Sequence, residues 1–154
     1  PITINTNTTM SLGQIIIPFN IIANKITIKA GTVTVAGTVK ITLYSEDGQS
    51  QIFTVTTASI SASGLVTTAL SAVLIPAGVY YISIVTVSTT NITVHTWDTS
   101  VDPFSITVGL PFDVTSEPVM LGKLTVTAGT PPATFDPTSL TQSADQTLII
   151  RLDN

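Results

Sequence analysis

The side chains best suited to ligand chemistry lie close together in this sequence: His95, Trp97 and Asp98. A flat aromatic ring beside polar groups suits a sugar, because the C–H face of the sugar stacks on the ring. Tyr81 adds a second ring, since in a strand it points to the opposite face from its apolar neighbours. These four residues are the candidate glycan-binding set. In the alternative interpretation, Trp97 fills the edge of a protein core or a contact between subunits.

The sequence contains few residues suited to catalysis or metal binding. The chain has one His, so a Ser-His-Asp triad could use only His95 as its base, and a Gly-x-Ser-x-Gly turn is absent. Most of the nine acidic residues fall in turn-like segments, where Asp is favoured as a turn former. Asp98 and Asp102 flank Ser100 and are weak candidates for Ca²⁺, with a hydrogen-bonded turn as the alternative. We therefore predict a protein that is not an enzyme and uses no cofactor or metal.

Charge and cysteine content exclude further classes of protein. The net charge is −4 and the five basic residues are scattered, which excludes nucleic-acid binding through phosphate neutralisation. The chain has no Cys, so it has neither disulfides nor thiolate metal sites. The longest apolar run, residues 14–22, is interrupted by Pro18 and Asn20 and falls short of the roughly 18 residues of a membrane span. No membrane insertion is expected.

The elements that must position these residues are strands. The sequence holds 29 Thr, 19 Ile and 15 Val among 154 residues, and such β-branched side chains pack well on a pleated sheet. Apolar and polar residues alternate with a period of two, as in Ile26, Ile28 and Ala30 against Thr27 and Lys29. Turn signals separate about eight to ten short strands. This pattern predicts an all-β protein, a single antiparallel β-sandwich that is jelly-roll-like.

The first residues are predicted to form an extended N-terminal arm. We place the arm at residues 1–13 and the sandwich domain at residues 14–154, with Ile2 and Ile4 as the apolar positions of the arm. The arm is either a frayed edge strand of its own domain or a strand that pairs with the open sheet edge of a neighbouring subunit. The chain has few Lys residues to protect its sheet edges, which favours assembly.

Two stretches carry a resemblance to a known class of module. In residues 39–48 a strand ending in Tyr leads into an Asp-Gly turn, and in residues 63–84 a Leu-Ile-Pro-Ala-Gly turn starts a strand that opens with two aromatic residues. Residues 128–132 and 148–152 occupy the places of a later loop and a closing strand. Over residues 14–153 the chain resembles the β-sandwich modules of bacteriophage tail-fibre and other virion surface proteins.

The resemblance implies a structural role without catalytic residues. We expect a subunit of a virion tail fibre, tip or capsid decoration that acts in assembly and surface adhesion at the virion surface. Its expected partners are copies of itself, as a homo-oligomer, other virion proteins and a surface glycan. Two alternatives stay open: an extracellular or cell-surface filament subunit that polymerises through residues 1–13, and a carbohydrate-binding module.

Overall fold

The computed structural model describes residues 2–95, 121–142 and 150–154. Within those ranges it contains strands, one short 3-10 turn at Pro137–Ser139, and no helix long and apolar enough to cross a membrane. The strands are β1 (Ile2–Ile4), β2 (Thr9–Ile17), β3 (Ile21–Val35), β4 (Val39–Ser45), β5 (Gln51–Thr56), β6 (Gly64–Ile75), β7 (Gly78–Thr86), β8 (Asn91–Val94), β9 (Leu121–Thr125), β10 (Thr141–Gln142) and β11 (Ile150–Asp153).

The first eight strands form one long antiparallel ribbon that is rolled on itself. Along the ribbon β1 pairs with β8, β2 with β7, β3 with β6, and β4 with β5. Two further antiparallel pairs, β8 with β3 and β7 with β4, close the roll. The result is two sheets with the orders β1-β8-β3-β6 and β2-β7-β4-β5, which is the eight-stranded jelly roll. The predicted all-β sandwich is confirmed.

The remaining strands extend the two sheets, which we call sheet A (with β3) and sheet B (with β7). β9 and β10 continue sheet B beyond β2. β11 lies along β3 on the same edge as β8, because Ile28 pairs with both Val66 and Ile150, and Ala30 pairs with both Gly64 and Val94. The long strand β3 thus carries β6 on one edge and two shorter strands in succession on the other.

The main core lies between the inner faces of the two sheets. Ile26, Ile28 and Ala30 are all buried there, as their alternation with Thr27 and Lys29 predicts. Removing one Ile side chain from water contributes about 1.5–3 kcal/mol, so a layer of such side chains is the main stabilising interaction of the fold. Ile41 and Ile84, which are cross-strand neighbours in sheet B, pack into the same core from the opposite side.

The first thirteen residues belong to the jelly roll and are not a separate arm. Ile2 and Ile4 pair with β8 and are buried in the main core, and the Thr90 hydroxyl donates to the Ile4 carbonyl oxygen at 3.0 Å. The predicted boundary after residue 13 falls inside β2, where Gly13 pairs with Ile82. A three-residue alternation is too short to reveal burial when its partner strand lies far along the chain.

The stability of the N-terminal strand tests this placement. Ile4 is 5% exposed, so we expect Ile4→Ala to lower the free energy of unfolding by about 2–5 kcal/mol. The matched control is Ile22→Ala, which makes the same change at an exposed position of β3. It should change the free energy of unfolding by about 0.5 kcal/mol or less. Chemical denaturation measures both variants. Equal, small effects would show that β1 is a loose arm after all.

Candidate functional site

The predicted glycan-binding residues do not form one described surface. Trp97 and Asp98 lie outside the described residues, as does Asp102 of the weak Ca²⁺ candidate. His95 follows β8 directly and is half-buried; its backbone N–H donates to the Lys29 carbonyl oxygen at 2.9 Å. Tyr81 belongs to β7 in the other sheet. Within the described ranges, no three His, Cys, Asp or Glu side chains come together as a metal site.

Tyr81 is not available to stack on a sugar, which corrects its place in the predicted set. Its side chain is 0% exposed, although it does point away from the main core as its strand position predicts. The ring of Phe135 meets both Tyr81 and its cross-strand neighbour Tyr44 edge-on, with centroid distances of 5.3 and 5.0 Å. A second apolar cluster therefore covers the outer face of sheet B: Met10, Leu12, Tyr44, Tyr81, Val85, Val126, Phe135 and Leu140.

The segment after β9 is held on sheet B by hydrogen bonds to the β4–β5 hairpin. The Tyr44 hydroxyl donates to the Pro132 carbonyl oxygen at 2.8 Å, and the Gln51 side-chain amide donates to the same oxygen at 2.7 Å. The Phe135 N–H donates to the Gly48 carbonyl oxygen at 2.9 Å. Gly129 permits the close approach: its φ is +66°, and a Cβ there would lie 2.2 Å from a backbone oxygen of β7. The covered face is thus a second core and not a binding surface.

An open hollow remains between this segment and β9. It is lined mainly by Leu124, Thr127, Pro132, Phe135 and Asp136. The Asp136 carboxylate caps the 3-10 turn, accepting from the Thr138 N–H at 2.9 Å and its hydroxyl at 2.7 Å. These hydrogen bonds from Thr138 lower the pKa of Asp136. The carboxylate therefore caps the turn, and among the described residues that line the hollow it has no second titratable group beside it for acid–base chemistry.

The feature that stands out on the described surface is a lack of charge. Residues 48–94 contain no Lys, Arg, Asp or Glu, and they supply all of β5, β6, β7 and β8. Among the described strands, β5 pairs only with β4 and β6 only with β3, so each is an outer strand of its sheet. The two outer strands contact each other on the same side of the sandwich. We call this side, formed by β5 and β6, the uncharged edge.

Exposed apolar side chains collect at one end of the uncharged edge. Ile22 and Leu74 are cross-strand partners on the outer face of sheet A, and both are exposed. Phe19, in the neighbouring loop, is also exposed. That loop is tied to the β6–β7 turn, because the Asn20 side-chain oxygen accepts from the Ala77 N–H at 2.8 Å. This end of the uncharged edge is therefore the place where Phe19, Ile22 and Leu74 are exposed to solvent.

Comparison with known proteins adds nothing to these observations. No protein-family model matches the chain, and none of the curated proteins matches it.

Sequence reasoning missed the uncharged edge, although half of its signal was visible. The absence of charge from residue 48 to residue 94 can be read directly from the sequence. The outer position of β5 and β6 cannot, because it follows from which strands pair across the roll. Among the predicted residues that the structure describes, Ile2 and Ile4 are structural, Tyr81 is covered, and His95 is half-buried.

The covered tyrosines give the protein a defined alkaline response. Burial raises the pKa of Tyr44 to about 12, against hydrogen bonds with Gln51 and Thr42 that lower it. The pKa of Tyr81 is raised to about 12, mainly by burial and to a smaller extent by the negative charge of Glu46. The unfolded chain loses both protons near pH 10 while the folded protein keeps them. We therefore expect the free energy of unfolding to fall as pH rises from 10 to 12.

The Tyr44→Phe variant separates the contribution of Tyr44 to this pH dependence from that of Tyr81. At neutral pH it should lose about 1 kcal/mol, because the hydrogen bond to the Pro132 carbonyl oxygen is gone. Between pH 10 and 12 its stability should fall less steeply than that of the parent protein, because one of the two protected protons is absent. Denaturant unfolding at a series of pH values measures both effects. An unchanged slope would contradict the covered position of Tyr44.

Proposed function

We propose that the chain is a non-enzymatic structural subunit of a virion, acting in assembly and adhesion at the virion surface as a homo-oligomer. The observation that supports this most is the pairing of an eight-stranded jelly roll with an uncharged outer edge. Jelly rolls build viral capsid domains, and also lectin domains and cupins. The fold does not select among these functions, so the choice depends on the surface and the available side chains.

The side chains favour the structural role over a chemical one. The whole chain has one His and no Cys, so a metal centre with several imidazole or thiolate ligands cannot be built from it. A lectin-like role now depends on His95 together with Trp97 and Asp98, because Tyr81 is buried. A glycan array, with Trp97→Ala as its control, tests that remaining possibility.

The surface favours contact with other subunits. Charged residues make up 9% of the chain, against about 25% in typical soluble domains. Net charge of one sign keeps protein molecules apart, and uncharged faces lack that repulsion. Thr, Ser, Asn and Gln side chains make the outer faces of the sheets polar without adding charge, so identical faces can approach each other closely.

The filament alternative has a structural obstacle. Strand addition through the first residues would require β1 to leave β8, which exposes Ile2 and Ile4 unless another copy replaces them. Removing residues 1–13 is a poor test of this alternative, because the deletion also takes away the start of β2, which lies between β7 and β9. Removing residues 1–4 is the cleaner variant, since it deletes β1 alone.

Two measurements test the proposal. Light scattering after size-exclusion chromatography should give a closed oligomer of one mass over a wide range of concentrations, and the full chain should form no fibres. The filament alternative instead predicts fibres from the full chain that are lost when residues 1–4 are removed. Mass spectrometry of virus particles from the source that encodes the chain should detect it as a component. A monomer at every concentration, or particles that lack the chain, would contradict the proposed function.

A further inference from the structure

We propose that β6 pairs with β6 of a second copy of this chain, antiparallel and about a twofold axis, so that sheet A continues across two subunits. This inference rests on the proposed assembly function and specifies the contact that it uses. The partner is identified by the hydrogen-bonding and charge properties of the strand itself.

β6 is the outer strand with the most to gain from a partner. It has twelve residues, whereas the outer strands β5, β11, β1 and β10 have six, four, three and two. One edge of β6 pairs with β3, and the described residues supply no strand for the other. The unpaired N–H and C=O groups of such an edge are a template for another strand. Natural edges are protected by Lys, Pro, short length or β-bulges. β6 is long and has no Lys or Pro, and its one irregularity against β3 lies between Ala69 and Val73, so that Gly64 to Ala69 remain in regular register.

The absence of charge points to a second copy of the same chain as the partner. In a twofold contact each residue near the axis faces its own copy, so a charge there would be repelled by itself. Residues 48–94 are free of charge, so β6 and its neighbours can meet themselves without this penalty. A partner of different sequence is normally selected through complementary charges, and this edge offers none.

A buried hydroxyl fixes the register of the pair. Thr68 faces the inside of the sandwich, and its Oγ1 is buried without a hydrogen-bond partner. Elsewhere in the fold, cross-strand Thr pairs satisfy one another: Thr27 with Thr67 at 2.9 Å, and Thr42 with Thr54 at 3.0 Å. Because this oxygen is enclosed in the single chain, the Thr68 side chain must turn about χ1 to reach a second copy. With Thr68 opposite Thr68 of the second copy and both side chains turned, each hydroxyl gains the same kind of partner.

The remaining pairs in this register are compatible. Val66 lies opposite Leu70 of the second copy on the inner face, where both side chains already pack against the core. Thr67 lies opposite Ala69 of the second copy on the outer face, where both are exposed in the single chain. Leu65, which is 69% exposed, lies opposite Ser71. The contact thus pairs Val66 with Leu70 around the central Thr68 pair on the inner face, and on the outer face it covers part of the exposed Leu65.

Engineered cysteines test the register directly, because the chain has no Cys of its own. Residues directly opposite in an antiparallel pair have Cα atoms about 4.5–5.5 Å apart, within the range of a disulfide. Thr67→Cys mixed with Ala69→Cys should therefore give a disulfide-linked heterodimer under mild oxidation. Each variant alone should cross-link poorly, since identical positions are then diagonal neighbours, about 7–8 Å apart.

Two controls accompany the mixture. Val35→Cys, 48% exposed on β3, measures cross-linking by random collision. Ala69→Lys should raise the dissociation constant of the dimer about tenfold or more, because it puts a positive charge beside the same charge of the second copy. Thr34→Lys makes the same kind of change at an exposed position of β3 and should leave the dissociation constant unchanged. Thermal unfolding confirms that the Lys variants fold.

The outcomes are distinct. A heterodimer yield several-fold above the Val35→Cys level, together with dissociation by Ala69→Lys, supports the β6 contact. Cross-linking of the mixture no better than Val35→Cys would overturn it. If that result came with a stable oligomer in light scattering, the β6 contact would fail and the proposed assembly function would stand. A protein that stays monomeric would overturn both.

Discussion

Burial of the inner faces of sheets A and B against each other is the interaction on which the rest of this structure depends. The ribbon formed by β1 to β8 has one apolar face, and an open ribbon would leave that face in water. Pairing β8 with β3 and β7 with β4 folds the ribbon over its own apolar face. Hydrogen bonding alone would be satisfied by other strand orders, so the choice of this one comes from the need to enclose Ile28, Ile41 and their neighbours.

The two sheets meet the solvent in different ways. β7 is buried on both faces, and on the outer one Tyr81 and Val85 need a second cover. The segment carrying Val126, Phe135 and Leu140 provides it. Sheet A carries Lys25 and Lys29 on its outer face and has no such cover among the described residues. The segment after β9 therefore covers sheet B. Among the described residues, the outer side of sheet A and its β6 edge have no such cover.

The fold could be predicted from the sequence where the information is local. Period-two alternation located most strands, and the Glu46-Asp47-Gly48 turn is present, with Gly48 at φ +69°. The placement of Ile2, Ile4 and Tyr81 could not be predicted, because it depends on partners distant in the sequence. Tyr81 is on the expected face of its strand, and only the later arrival of Phe135 turns that face into a core.

Threonine explains how a protein with so few charges can be both folded and hydrated. Its methyl group packs on a pleated surface, while its hydroxyl bonds to a neighbour, as in Thr27 with Thr67 and in Thr57 with the Val39 N–H. Such pairs hold strands together without ion pairs, and the one described ion pair, Arg151 with Asp153, is exposed and weak. The same neutrality removes the repulsion that keeps identical protein surfaces apart, so the composition that builds the sheets also permits their association.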